Sequence, residues 1–383
     1  VFLVPYSAAV YKGLGTMFNT IFPGISVNYC MLIIAVLTAI YLVLGGYLAT
    51  AYTDFVQGII MIIGVFAMII AIVKTDAVGG FSQIFAKLSE IPDNGDGVTG
   101  ATLTSLWGAG SWKFLCINIL LTSFGTWGLP QMVTKFYSVR NEKSVKQATV
   151  ISTIFCLIIG VGAYFIGSLS RIVLNNQLPE GGHDAVIPQV LLTALSGNSF
   201  TVIILAVILI LLLSASMSTL ASVVLTSASS ISVDLIPEIK KNYTKKQQMF
   251  TTRTLCLIFV LLSYVFATLN ISIIVNIMSF SWGIVSGCFI GAYVWGILSK
   301  KITKAGAWSG MIAGVLTVAL PTLVISISSD FSSAVKIAPE MGVSAMAVSM
   351  IIVPLVSLFT GKYDESFLNK IFKNREDVTD ADN

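Results

Sequence analysis

Charged residues are scarce in this sequence of 383 amino acids. Lysine and arginine together number 22 and aspartate and glutamate 18, so only 10% of the residues are charged while 56% are hydrophobic. A soluble globular domain carries about 25% charged residues, and the mean hydropathy here is +0.90. The composition excludes an ordinary soluble domain and predicts a polytopic membrane protein.

The side chains of common catalytic and metal sites are also few. The single histidine, His183, lies in a loop beside Asp184, where we expect it to be solvated. No Ser–His–Asp set, CxxC pair, phosphate-binding loop or dinucleotide fingerprint is present, so nothing predicts an enzyme. The net charge of +4 is small and lies in loops, which does not favour a nucleic-acid partner. Five cysteines inside apolar stretches have the pattern of buried small hydrophobic residues: Cys30, Cys116, Cys156, Cys256 and Cys288.

Apolar runs of about 20 residues are long enough to cross the hydrocarbon core of a membrane as helices. The first is weakened by Pro5 and Lys12, and because the chain starts with Val1 inside it, we expect the sequence to begin within a longer protein. These runs predict an all-α fold with ten segments: 2–22, 27–47, 54–75, 114–139, 148–173, 198–228, 252–269, 274–298, 305–325 and 343–361.

Basic residues alternate between the loops. They cluster after the fourth, sixth, eighth and tenth segments, and the connections 76–112, 174–197, 270–273 and 326–342 are poor in them. By the positive-inside rule this pattern places the carboxyl terminus in the cytoplasm. We expect the protein to lie in the plasma membrane. The two long loops would then be external; residues 76–112 include a possible short amphipathic helix, and either loop could form part of a lid, although a plain connection is favoured for most of their length.

One apolar segment changes character near its middle. After the run from Thr201 to Leu213 the chain becomes rich in hydroxyl groups, and Ala215, Ser218, Thr219 and Ser222 recur at the spacing of one helix face. Hydroxyl oxygens on one face at membrane depth can form part of a shell around a small hard cation. The alternative is that they bond to the preceding turn of the helix or permit close helix packing.

The fourth segment contains LLTSFGTWGLPQ at 120–131. Gly125, Gly128 and Pro130 disfavour a helix by about 1 kcal/mol for each glycine and about 3 kcal/mol for the proline. Unwound backbone at membrane depth is tolerated where it lines a cavity, and broken helices mark binding sites in secondary transporters. The alternative is an ordinary proline kink.

Asp54, at the predicted start of the third segment, is a third candidate. It would act either as a counter-charge for a cation or as a first-turn acid favoured by the helix dipole. Lys12 and Lys135 are interpreted as residues near helix ends that extend their ammonium groups to the membrane surface.

Four stretches together resemble the sodium/solute symporter family, most closely its bacterial sodium/proline and sodium/pantothenate members. They are GGYLATAYTDFVQGIIM, GTWGLPQMVTKFYSV, SASMSTLASVVLTSASSISVDL and MSFSWGIVSGCFIGAYVWGILSKKITKAGAWSGMIAG. The resemblance implies a LeuT-like fold of two inverted five-helix repeats, here lacking the first two core helices. It divides the chain into core helices three to five (1–75), an external loop (76–113), the second repeat (114–298), two peripheral helices (299–361) and a cytoplasmic tail (362–383).

The resemblance also assigns residues to sites. Ala215, Ser218 and Thr219 match the main sodium site; Asp54 matches an acid that assists sodium; Ser222 fits a second ion site, in which Ala221 replaces an oxygen ligand. Thr122, Thr126 and Pro130 match substrate-facing positions of the broken helix, although proline-transporting members have aromatic residues where this chain has Thr122 and Thr126. Ser123 and Trp127 join the candidate substrate site because they cluster at the same break, where hydroxyls could hold a carboxylate and Trp127 could cover an apolar body. Ser279, Ser281 and Trp282 fall at an outer gate.

The implied function is sodium-coupled symport of a small organic solute, a carboxylate or an amino acid, by alternating access. The expected partners are Na⁺ as coupling ion, the solute and the lipid bilayer, with no organic cofactor. Two alternatives stay open: proton coupling through Asp54, and a membrane sensor or scaffold that keeps a transporter fold without transporting.

Overall fold

The computed structural model describes residues 2–93, 97–105, 112–136, 139, 141–195, 199–361, 363–368 and 372, with the backbone alone at 44–50, 136 and 199–201. The described residues form helices and no strand. The α-helices are α1 Val4–Ile21, α2 Val27–Val73, α3 Ile84–Ser89, α4 Gly100–Leu103, α5 Trp112–Phe124, α6 Pro130–Phe136, α7 Glu142–Val173, α8 Val186–Leu195, α9 Ser199–Ser229, α10 Ile236–Ile239, α11 Lys245–Thr268, α12 Ile274–Leu298, α13 Lys304–Ser328, α14 Phe331–Lys336 and α15 Ala338–Leu358.

Polar side chains mark where several helices begin. Asn141 accepts a hydrogen bond from the N–H of Ser144 at the start of α7, and Thr244 and Gln247 form a reciprocal capping box at the start of α11. At α14, Asp330 accepts from the N–H of Ser333 at 2.6 Å. The hydroxyl and N–H of Ser333 hold the pKa of the Asp330 carboxyl below its usual value.

Seven of the ten predicted segments coincide with helices long and apolar enough to cross a membrane. They are Ala51–Val73, Glu142–Val173, Val202–Ile239, Lys245–Thr268, Ile274–Leu298, Lys304–Ser328 and Ala338–Leu358. The other three differ for physical reasons. The segment 2–22 carries Lys12, the helix at 27–47 has a shorter apolar stretch, Val27–Val43, and the segment 114–139 is interrupted.

The predicted segments 27–47 and 54–75 are joined in the single helix α2, which bends between them. Tyr41 and Thr53 share a hydrogen bond between their hydroxyl groups. On a straight helix these residues would be about 18 Å apart along the axis, more than the two side chains can span. The helix axis therefore turns sharply between them, in the stretch that contains the consecutive glycines Gly45 and Gly46.

The chain divides into two compact units. Among the described residues, unit 1 lies within Leu3–Leu115 and Thr134–Val275, and unit 2 lies within Cys116–Val133 and Asn276–Asn383, together with Phe2. These units do not coincide with the predicted repeats at 1–75 and 114–298. Compactness and internal symmetry are different properties, so the repeat boundaries stay a prediction.

Two hydrophobic clusters hold unit 1 together. The α7 cluster joins α7 and α8 to the second half of α2 and the first half of α9; its buried residues include Val65, Met68, Ile72, Ile166, Leu169, Val190, Leu191, Ile208 and Leu211. The α1 cluster joins α1 and α11 to the first half of α2 and the second half of α9; its buried residues include Ala8, Tyr11, Leu14, Met31, Ile34, Leu220, Ala221, Val224, Ala228, Phe259 and Val260. Helix α9 therefore contributes to both clusters.

Small residues bring the helices of unit 2 close together. Glycines recur every four residues on α12, at Gly283, Gly287 and Gly291, and a Cβ added to Gly291 would lie 2.5 Å from the carbonyl oxygen of Ser349 on α15. The same spacing recurs on α13, at 306, 310 and 314. Such small-residue stripes allow helix backbones to approach closely within a membrane.

Candidate functional site

The hydroxyl face of α9, consisting of Ala215, Ser218, Thr219 and Ser222, covers about 100° of the helix circumference at 3.6 residues per turn. All four residues are half-buried. The opposite side of the helix is fully buried in the α1 cluster through Leu220, Ala221, Val224 and Ala228. The hydroxyl face is thus turned away from the residues that pack the second half of α9 into the α1 cluster.

Hydrogen bonding on this face is only partly local. The Thr219 hydroxyl donates to the carbonyl oxygen of Ala215 at 3.1 Å, as the alternative interpretation expected. The hydroxyls of Ser218 and Ser222 have no partner among the described residues. A hydroxyl that donates still has oxygen lone pairs, so the face offers several acceptors for a hard cation.

Asp54 lies inside α2, three residues after the start of the span Ala51–Val73, so it caps no helix end, and its interpretation as an acid near the start of that span stays a prediction. Its Oδ2 lies 3.6 Å from Nζ of Lys135 on α6, and the two side chains are 24% and 53% exposed. Lys135 is therefore an ion-pair partner of Asp54. An ion pair this open to solvent contributes about 0–1 kcal/mol.

The second oxygen of Asp54 has a different environment. Oδ1 is buried and accepts no hydrogen bond from the described residues, and the same holds for Oε1 of Gln57, three residues along the same helix. Two buried acceptors without donors leave a local need for a cation or a proton donor.

The predicted break in the fourth segment is confirmed. Helix α5 ends at Phe124, Gly125–Gly128 form a 3₁₀ turn, Leu129 is extended, and α6 starts at Pro130. Proline suits the first position of a helix because its missing N–H needs no partner there. In unit 2 the hydroxyl of Ser286 on α12 donates to the carbonyl of Gly125 and fixes the break to that helix.

The predicted substrate-facing residues surround this break. The Thr122 hydroxyl donates to the carbonyl of Asn118 at 2.7 Å, and that of Thr126 to the carbonyl of Ser123 at 3.1 Å. The Trp127 side chain is 53% exposed and meets the ring of Phe124 edge to face at 5.2 Å. The break therefore presents a large aromatic surface together with hydroxyl oxygens.

The predicted gate residues lie on α12. Ser279 and Ser281 are buried, and the Ser281 hydroxyl donates to the carbonyl of Phe2 at 2.5 Å. The Trp282 ring packs beside Leu121 and Met346 in a hydrophobic cluster of unit 2. Ser281 is thus engaged in a hydrogen bond and Trp282 in hydrophobic packing, and the gate role stays a prediction.

The site residues fall into two groups. Asp54 and the hydroxyl face of α9 belong to unit 1, whereas the substrate-facing residues around the break and the gate residues belong to unit 2.

Sequence reasoning missed a buried polar network in unit 1. Nζ of Lys12 lies 3.1 Å from Oδ2 of Asp184 and donates to the carbonyl of Ser272 at 2.6 Å. The other carboxylate oxygen of Asp184 accepts from the N–H of Ile274 at 3.2 Å, at the start of α12. The lysine and aspartate side chains are 13% and 11% exposed. Lys12 is therefore a largely buried partner of an aspartate in the 3₁₀ turn His183–Ala185 rather than a residue that reaches the membrane surface.

The seven apolar helices long enough to cross a membrane define a multi-pass membrane protein. The chain resembles a solved Na⁺-coupled sialic acid symporter in a substrate-bound outward-open state, with a TM-score of 0.63 and 16% identity, over 95% of this chain and 75% of that one. This likeness confirms the predicted LeuT-like fold.

The model of the family described as "Sodium:solute symporter family" matches residues 1–314, so the chain belongs to that family. It is 30% identical to the sodium/pantothenate symporter of Haemophilus influenzae over 76% of this chain, 27% to the high-affinity proline transporter PutP of Bacillus subtilis over 83%, and 26% to sodium/proline symporter 2 of Staphylococcus saprophyticus over 83%. These relatives are transporters and not enzymes. The chain spans 58%, 65% and 60% of their respective lengths.

Proposed function

We propose that the protein to which this chain belongs is a sodium-coupled symporter of a small organic solute. The observation that carries the proposal is the half-buried hydroxyl face of α9, turned away from the α1 cluster, in a member of the sodium:solute symporter family. The alternation of basic loops supports a plasma-membrane orientation with a cytoplasmic carboxyl terminus.

Sodium is a hard cation that prefers oxygen ligands, as Ca²⁺ and Mg²⁺ do. The carbonyl of Ala215 and the hydroxyls of Ser218 and Thr219 supply such oxygens in the main site. Asp54 assists the ion, since its Oδ1 is buried without a donor. Ser222 would serve a second ion, for which Ala221 contributes no side-chain oxygen.

The solute binds at the break between α5 and α6. Exposed Trp127 covers the apolar part of the solute, and the hydroxyls of Thr122, Ser123 and Thr126 and the interrupted backbone hold its polar part. Pro130 ends the interruption. A carboxylate or an amino acid fits this chemistry, and relatives are named for pantothenate and proline.

One coupled ion is sufficient for accumulation. Moving one charge through 100 mV provides about 2.3 kcal/mol. At about 1.4 kcal/mol per tenfold change, this sustains a solute gradient of roughly fifty-fold before any sodium gradient is added.

Uptake of a solute panel by the full-length protein in proteoliposomes tests the proposal. We expect Ser218→Ala to weaken the apparent sodium affinity at least about tenfold, because it removes one of few oxygen ligands. Ser227→Ala is the matched control, since the Ser227 hydroxyl donates to the carbonyl of Val223 on another side of the same helix. Uptake that ignores both sodium and membrane potential would contradict the proposal.

The unpartnered Oδ1 of Asp54 favours proton coupling as a second candidate. In that case Asp54→Asn abolishes uptake while Ser218→Ala has a mild effect. A sensor or scaffold without transport would give no flux with any solute, so the same assay separates all three functions.

A further inference from the structure

A cavity of about 670 Å³ opens in unit 1 where α1, α7 and α11 end and α2 begins. Its volume lies within the range of small-molecule sites, about 300–1,000 Å³. Among the residues that line it are Lys12, Asn28, Gln177, Glu180, Asp184 and Asn270, interspersed with apolar side chains. It contains none of the residues assigned to sodium or to the transported solute.

The Lys12 ammonium has one N–H to spare in this cavity. A lysine has three donors, and two are used by Oδ2 of Asp184 and the carbonyl of Ser272. Among the described residues no acceptor takes the third. Because the other two N–H groups are held by these acceptors, the direction of the third is set by them.

The cavity wall is held by hydrogen bonds from several parts of unit 1. Asp184 is fixed by Lys12 and by the N–H of Ile274. The turn after α7 is fixed by Asn176, which accepts from Arg171 and donates to the carbonyl of Pro92 at 3.4 Å. A binding site of this kind is largely formed before its ligand arrives.

Several polar side chains at the cavity have no partner among the described residues. The carboxamides of Asn28, Gln177 and Asn270 make no hydrogen bond, and the carboxylate of Glu180 makes no ion pair. With Lys12 and Asp184, the lining carries one positive and two negative charges. This balance disfavours a simple anion and favours a ligand that brings a cationic group as well.

We propose that this cavity binds an α-amino acid zwitterion, at a site separate from the one that transports the solute. The ligand carboxylate accepts the spare N–H of Lys12 and hydrogen bonds from the carboxamides. The ligand ammonium meets the Glu180 carboxylate. In the orientation proposed above, the site faces the outside of the cell.

Equilibrium dialysis in sodium-free choline buffer tests this inference. The purified full-length protein is dialysed against each radiolabelled proteinogenic L-amino acid in turn. We expect at least one to bind, and Glu180→Gln to weaken that binding by roughly tenfold through loss of a charge-assisted contact. Glu180 is exposed, so the substitution leaves the fold intact.

Two matched variants complete the experiment. Glu238→Gln removes an exposed glutamate outside the cavity and should leave binding unchanged. Ser227→Ala, which removes a hydroxyl that donates to the carbonyl of Val223 within α9, should also leave it unchanged. The inference is overturned if no amino acid binds without sodium or if Glu180→Gln binds as tightly as wild type. Sodium-dependent uptake is read separately, so failure of the symport proposal is distinguishable from failure of this one.

Discussion

Gly128→Ala at the break between α5 and α6 should destabilise the protein. A Cβ at this position would lie 2.7 Å from Cα of Ser286, 2.9 Å from its carbonyl oxygen and 3.3 Å from the N–H nitrogen of Ile290. All three are backbone atoms of α12, so no side chain can rotate out of the way. The break or α12 must shift to admit the methyl group.

The size of the destabilisation depends on which atoms the added Cβ contacts, and here they are backbone atoms. Overpacking a well-packed interior typically costs about 1–3 kcal/mol, and we expect about 3 kcal/mol here because only backbone can yield. That corresponds to a change of roughly a hundredfold in the unfolding equilibrium. Thermal unfolding of the purified full-length protein in detergent measures it.

Gly125, three residues earlier, is the matched control. A Cβ there would meet the Ser286 hydroxyl oxygen at 3.6 Å, an ordinary van der Waals distance. The free energy of unfolding of the Gly125→Ala variant should therefore lie within about 1 kcal/mol of the wild-type value. If the two variants were equally stable, or Gly125→Ala the weaker, the close approach of the break to α12 would be refuted.

Two further predictions concern the two units separately. Lys12→Met should destabilise the protein by about 2 kcal/mol, below the usual range for a broken buried ion pair because the cavity admits water, and adding Asp184→Asn should restore part of the loss in the same unfolding assay; a double variant no better than Lys12→Met would count against the ion pair. Gly291→Ala on α12 should lower the free energy of unfolding because its Cβ meets the Ser349 carbonyl. Gly296→Ala, with nothing within 4 Å, should raise the free energy of unfolding by about 0.5–1 kcal/mol through helix propensity; the reverse order in thermal unfolding would contradict the packing of α12 against α15.

Much of the architecture could be predicted from the sequence. Runs of apolar residues placed seven spans, and the helix penalties of Gly125, Gly128 and Pro130 predicted the break because each acts locally on the backbone. The bend of α2 could not be predicted as a bend within one helix. Two consecutive glycines are equally compatible with a loop between two helices and with a bend inside one helix. The bend becomes evident only from the hydrogen bond between Tyr41 and Thr53 in the structure.

Prediction of the candidate sites depended on which contacts are local. The hydroxyl face of α9 was visible because four residues on one helix share it through spacing alone. The partner of Lys12 was not visible, since Asp184 lies far along the chain in a loop with no periodic pattern. The same holds for Lys135, whose partner Asp54 is on another helix.

The ion pair between Lys12 and Asp184 has a consequence for biosynthesis. Asp184 leaves the ribosome about 170 residues after Lys12, on the order of 10 s later at the usual speed of translation. Until then α1 carries an ammonium without its counter-ion, and a lysine at the centre of a membrane helix costs about 2.5–3.5 kcal/mol. We therefore expect α1 to reach its final position only after α7 and the turn that carries Asp184 have been made.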